Sequence, residues 1–161
     1  MISSHQLAGS FALNLNILRW QSEGLTNEDS LLQPPFRGNC LNWVLGHIAV
    51  SRDRILRLFG EEPTLSEAET ACYETESEPL TSAREGSLTL ETLLERLERA
   101  QAGISAALER ATPEELAREI QVGERTMTVG QRLFGLYFHE TYHTGQTELL
   151  RQLAGTNDAI I

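Results

Sequence analysis

The stretch Leu133-Phe134-Gly135-Leu136-Tyr137-Phe138-His139-Glu140-Thr141-Tyr142-His143-Thr144-Gly145-Gln146 decides how this chain is read. It predicts part of a long helix running from Val129, capped by Thr128, to about Leu153, just before Gly155. His139 and His143 stand four apart, so a helix stacks them on one face with Cβ atoms about 6 Å apart. Two imidazoles at that spacing can converge on one ion. A third, His47, lies far upstream in Asn42-Trp43-Val44-Leu45-Gly46-His47-Ile48-Ala49, a second strongly helical segment. If the two helices face each other, the three rings form a His₃ set with one position left open for water or substrate.

Working outward, the first helix is expected from about Ser4 to Glu23, with Leu7, Phe11, Leu15 and Leu18 as its inner stripe. After a loop containing Pro34, Pro35 and Gly38, the second should start near an N-cap at Asn39 and end at Gly60. Its Trp43, Val44, His47, Ile48, Ile55 and Leu58 fall to one side, and Arg52, Asp53 and Arg57 towards the other. Residues 61–88 are rich in glutamate and read as a solvated acidic crossover rather than a substrate lid, with Ser66-Glu67-Ala68-Glu69 as a capping box for one short helix. Leu90, Leu93, Leu94, Leu97, Ile104 and Leu108 mark a third long helix capped by Thr89. Thr112-Pro113-Glu114-Glu115 opens a helical turn, and residues 120–129 alternate around a glycine like a small hairpin. Four long helices with two lengthy connections make an all-α four-helix bundle of non-simple topology, one domain over residues 1–161.

Lys and Arg number 13 against 23 Asp and Glu, giving a net charge of −10. Such a surface repels phosphate backbones and anionic lipid, so neither nucleic acid nor a membrane is an expected partner. The sequence shows no charged leader or membrane-length apolar run, which points to the cytoplasm. In that compartment Cys40 and Cys72 are expected as reduced thiols.

Other readings of the histidines exist. They could be interior residues satisfied by hydrogen bonds. A di-iron site needs paired Glu-x-x-His motifs, which the chain lacks beyond Glu140 and His143. His139-Glu140-Thr141-Tyr142-His143 also spells the zinc-protease signature, with Glu140 as general base. Only Glu148 and Asp158 follow as carboxylates, however, and a helical chain offers no strand-lined peptide cleft. Gly46 and Gly135, beside their histidines, suggest close approach of two backbones.

Gly46-His47-Ile48-Ala49 on the second helix and the His139 to Gln146 segment on the last resemble the DinB/YfiT-like superfamily, and the resemblance spans nearly the whole chain. It implies a four-helix bundle in up-down-down-up order, a homodimer, and a divalent ion, zinc or nickel, held by His47, His139 and His143. Iron is also compatible with imidazole ligands. Tyr142 and Thr144 stand where members often carry a further histidine and an arginine, which weakens any substrate role drawn from that arginine.

The superfamily includes S-transferases that use low-molecular-weight thiols such as bacillithiol and mycothiol. The resemblance therefore implies transfer of a small thiol to an electrophile, with a metal-dependent hydrolase or a non-catalytic metal-binding protein as alternatives. Gln146 and Ser51, each about one turn from a ligand, and Trp43, one turn before His47, are the candidate supporting or substrate contacts. Trp43 also fits the core stripe. His5 stays outside the site.

Overall fold

In the computed structural model, which describes residues 3–158, the first helix, α1 (Ser4–Ser22), opens on a capping box. The Ser3 side chain accepts from the Gln6 amide while the Gln6 side chain accepts from the Ser3 amide. Leu7, Phe11, Leu15 and Leu18 are buried as the spacing requires. A short helix, α2 (Asn27–Ser30), follows and was not expected. Its signal is nevertheless in the sequence, because Thr26 and Asp29 form a second capping box.

The next long helix, α3 (Leu41–Leu58), departs from expectation in two ways. Cys40, not Asn39, is its N-cap, and it makes no side-chain capping bond. More importantly, the helix is buried almost all round: Arg52 and Asp53 are fully interior instead of facing solvent. Each is satisfied. Asp53 accepts from the Thr64 amide and hydroxyl and from the Leu65 amide, pinning the start of the crossover to the helix.

Beyond it, α4 (Glu67–Tyr73) carries the expected Ser66–Glu69 box. The acidic crossover is only partly solvated. Most of its glutamates face water, but Leu65, Cys72, Tyr73 and Leu80 are buried in the core. α5 (Leu90–Arg110) is capped by Thr89, and α6 (Pro113–Ala117) by Thr112. β1 (Glu119–Val122) and β2 (Arg125–Thr128) pair antiparallel around Gly123, whose φ of 59° suits glycine. Thr128 then caps α7 (Val129–Leu153).

Side-chain pairs fix the directions of the four long helices. Phe11 meets Tyr137 and Asn14 meets Thr141, so α1 and α7 run parallel. Asn42 bonds the Leu88 carbonyl just before α5, and Arg52 reaches Leu97 and Gln101 within it, so α3 and α5 also run parallel. α1 packs on α5 and α7, as does α3, which leaves α1 and α3 diagonal. This is up-down-down-up order. The core forms two apolar clusters, one around Leu45, Ile48, Tyr73 and Leu93, the other around Phe11, Ile55, Ile104 and Leu133. No helix among the described residues is long and apolar enough to cross a membrane.

Between those clusters lies a buried ionic layer. The Arg52 guanidinium donates to both Glu140 oxygens at 2.9 and 2.8 Å, to the Leu97 carbonyl, to Gln101 Oε1 and to the Phe11 carbonyl. Both partners are essentially sealed from solvent, at 0% and 1% exposure. A buried pair this fully hydrogen-bonded is stable as it stands. Removing one partner strands the other charge, at a cost of about 3–5 kcal/mol.

Candidate metal centre

The structure brings His47 of α3 together with His139 and His143 of α7. One ligand-capable atom from each lies within 4.8 Å of the others. The ring centroids are 5.0 Å (His47–His139), 5.0 Å (His47–His143) and 4.5 Å (His139–His143) apart. His47 is buried, and the other two are half-buried.

Each ring is oriented through Nδ1. His47 Nδ1 donates to the Tyr73 carbonyl at 2.7 Å, and His143 Nδ1 to Gln146 Oε1 at 2.7 Å. His139 Nδ1 lies 3.3 Å from Ser51 Oγ. Such outer contacts fix the tautomer and leave Nε2 as the free lone pair. His47 Nε2 and His139 Nε2 stand 3.1 Å apart. Two ligand atoms at 2.0–2.1 Å from a tetrahedral ion would be separated by about 3.3–3.4 Å, so this pair needs to shift only by tenths of an ångström. The Ser51 hydroxyl can donate or accept by rotating. It therefore suits both tautomers of His139, including one in which the two Nε2 atoms share a proton.

The electrostatics favour neutral rings. Burial is the main cause lowering all three pKa values. His139 is pushed down to about 4, with His143, His47, Arg54 and Arg132 adding to the effect of burial. The Gln146 contact opposes the trend at His143. At neutral pH the set therefore presents unprotonated nitrogens, the form a divalent ion requires.

Gly46 matters here, though not by letting two helix backbones meet. The Tyr73 ring lies where a Cβ at position 46 would stand, which lets α4 settle onto α3 and aims the Tyr73 carbonyl at His47. The Tyr73 hydroxyl donates to Asn42 Oδ1 and accepts from the Leu88 amide, tying the end of the crossover to the first turn of α3. Gly135 plays no comparable part, since a Cβ there would meet nothing within 4 Å.

The histidines open onto a cavity of about 370 Å³. Trp43 lines this cavity. It is buried, and it stacks on His47 at 4.7 Å between centroids with the planes 11° apart. Its Nε1 donates to Ser77 Oγ. Gln146 lines the cavity beside His143, whereas Ser51 sits behind His139 and does not. Sequence reasoning missed the loop residues Phe36, Arg37 and Asn39, and Thr75 of the crossover, as parts of the lining. Nothing in their local pattern marked them. His5 is exposed on α1, outside this cluster.

Residues 12–147 match the sequence profile of the DinB superfamily. The chain belongs to that superfamily. Solved structures agree on the fold. A conserved protein from Enterococcus faecalis aligns with a TM-score of 0.76 at 18% identity, covering 97% of this chain and 99% of that one. A DinB-like protein from Bacillus subtilis gives 0.68 at 17% identity, covering 97% and 96%. A third, DinB-like and from Bacillus cereus, gives 0.67 at 18%, again covering 97% and 96%. No curated protein matches the chain. Within this DinB fold, Glu140 cannot serve as a protease-type base, because Arg52 holds both its oxygens in the core. Thr144 is likewise turned inward, donating to the Glu140 carbonyl, while Tyr142 is 62% exposed beside His143.

Proposed function

We propose that this protein is a divalent-metal-dependent transferase that joins a low-molecular-weight thiol to an electrophile. The supporting observation is a preoriented imidazole trio facing an open cavity, with every Nδ1 engaged. His47, His139 and His143 would hold zinc or nickel, or iron with the same donors. A bound divalent ion supplies Lewis acidity, lowering the pKa of a thiol or water that reaches it.

The chain's own groups do the rest. The Trp43 ring forms a flat wall against which a planar or apolar electrophile can lie. Gln146 and Asn39 offer hydrogen bonds, and Arg37 at the rim offers a cation to an anionic part of either reactant. In the reaction the thiol loses its proton to solvent, a sulfur–carbon bond forms, and the electrophile's leaving group departs. The nucleophile comes from a co-substrate. Cys40 and Cys72 are free, buried and outside the cavity lining, donating to the Leu80 and Glu85 carbonyls. A reducing cytoplasm, where small thiols are kept available, is the setting we propose.

The reading is tested by loading the protein with zinc or nickel and offering monochlorobimane together with individual small thiols. Conjugation that requires the ion and disappears in His139→Ala supports it. Metal-dependent hydrolysis without any thiol would replace it with a hydrolase, and the absence of metal-dependent conjugation with every thiol would overturn it.

A further inference from the structure

Two arginines stand beyond the imidazole trio, at the end away from its cavity. Arg54 follows His47 by seven residues on α3, and Arg132 precedes His139 by seven on α7. Seven residues make nearly two full turns, so each arginine lies in line with its histidine, about 10.5 Å further along. α3 runs down the bundle, α7 runs up, and the two pack together. Both displacements therefore carry the same way, and positions 54 and 132 face each other at one level. Neither residue lines the cavity over the histidines.

Charge sets this pair apart. The chain's 13 basic residues are all arginines, against 23 acids, so anionic partners are plentiful. The other arginines withdrawn from solvent take them: Arg52 has Glu140, Arg54 has Glu74, Arg96 has Glu69 and Arg151 has Asp158. Arg132 is the exception. It is half-buried, yet among the described residues it pairs with no carboxylate and makes no side-chain hydrogen bond. Arg37, Arg57, Arg99 and Arg125 also lack a partner there, but all four are exposed to water. Burial pushes the Arg132 pKa down, and Arg54 pushes it further. A partly desolvated cation set against another, with no acid of its own, is a cost the fold does not recover.

The space beside it is open. Gly135, one turn on from Arg132 towards His139, is exposed, and a Cβ there would meet nothing within 4 Å. Helical side chains lean towards the N-terminus, so a larger residue at 135 would lie over the Arg132 turn. Glycine leaves that approach clear.

We propose that Arg132 and Arg54 form a binding site between α3 and α7 for the carboxylate of a small organic acid. A guanidinium fork meets a carboxylate in two parallel hydrogen bonds. Charge decides between a carboxylate and a phosphate. Glu74 already neutralises one of the two arginines, which leaves a single positive charge. A monoanion balances it, whereas a phosphate dianion would set a second negative charge against Glu74. The site is separate from the histidine cavity and does not depend on an ion there.

Thermal unfolding of the metal-free full chain, titrated with acetate at neutral pH and constant ionic strength, tests the site. The midpoint of the unaltered protein should rise by about 3–6 °C at ten times the dissociation constant. Arg132→Gln should lose that rise. Without acetate and at low salt, the same variant should melt higher than the unaltered protein, because the unpaired charge is gone. Arg57→Gln, which removes an exposed arginine of α3, should keep the rise, and inorganic phosphate should bind no more tightly than acetate. No acetate-dependent rise in the unaltered protein would overturn the proposal, as would a rise that survives Arg132→Gln. A rise lost in Arg37→Gln instead would move the carboxylate to the histidine cavity and overturn it equally. An Arg132→Gln protein that melts lower without acetate would assign Arg132 to packing alone. Phosphate binding tighter than acetate would overturn the choice of carboxylate.

Discussion

The Tyr73 carbonyl and His47 Nδ1 are 2.7 Å apart, so a residue of the crossover sets the tautomer of a residue of the bundle. Gly46, immediately before His47, is what permits the contact. Gly46→Ala should therefore act at a distance from any ligand. The new methyl must displace the Tyr73 ring, costing about 1–3 kcal/mol as overpacking does. Urea denaturation should report that loss, and the same variant should bind metal more weakly although all three histidines remain. Unchanged metal affinity would mean that the crossover does not orient His47.

His47→Ala should lower metal affinity by more than 100-fold, whereas His5→Ala should leave it unchanged. The expectation follows from the convergence of three rings and the exposure of the fourth. Metal content after dialysis, with chelator competition for the constants, distinguishes them. Equal effects would remove the proposed ligand set.

Gln146→Leu and Ser51→Ala remove Nδ1 partners but no ligand. Losses of about 10–100-fold in affinity are expected for Gln146→Leu, whose contact is short, and smaller ones for Ser51→Ala at 3.3 Å. Isothermal titration of each variant provides the comparison.

Acid should destabilise the metal-free protein in a defined window. Burial lowers the folded-state pKa of His139 to about 4, while the unfolded chain titrates near 6.5. Between those values the unfolded state binds more protons, so stability present above about 6.5 is lost as pH falls towards 4. Replacing His139 with Ala should flatten the fall in thermal midpoint over that range. A slope identical to the unaltered protein's would show that His139 is not held neutral.

Glu140→Ala should cost about 3–5 kcal/mol in chemical denaturation because it leaves Arg52 charged and buried. The paired change Arg52→Met with Glu140→Leu should cost much less, because no charge is then left buried without a partner. Metal affinity of the folded Glu140→Gln protein should be close to normal. A large loss of affinity there would return Glu140 to the metal site.

The helices were legible because their signals are local. Thr89, Thr128 and the Ser66–Glu69 box mark helix starts from a few adjacent residues, and the leucines of α5 hold one face. The histidine cluster was legible from His139 and His143 only in part, because His47 joins them through packing of α3 on α7. What stayed hidden depends on contacts far apart in sequence. Arg52 and Asp53 read as surface charges, since their partners Glu140, Gln101 and Thr64 come from other elements. Tyr73 was obscured by the glutamates around it. Phe36, Arg37 and Asn39 belong to an irregular loop whose placement no periodicity encodes.

The Arg52 guanidinium reads height along the molecule. It takes acceptors from α1, α5 and α7 at once, so sliding any one of them by a single 5.4 Å pitch would leave it short of a partner. His139 is the next residue to Glu140 and inherits that vertical setting. A group that never touches the cavity thus acts as the gauge to which the imidazoles are levelled.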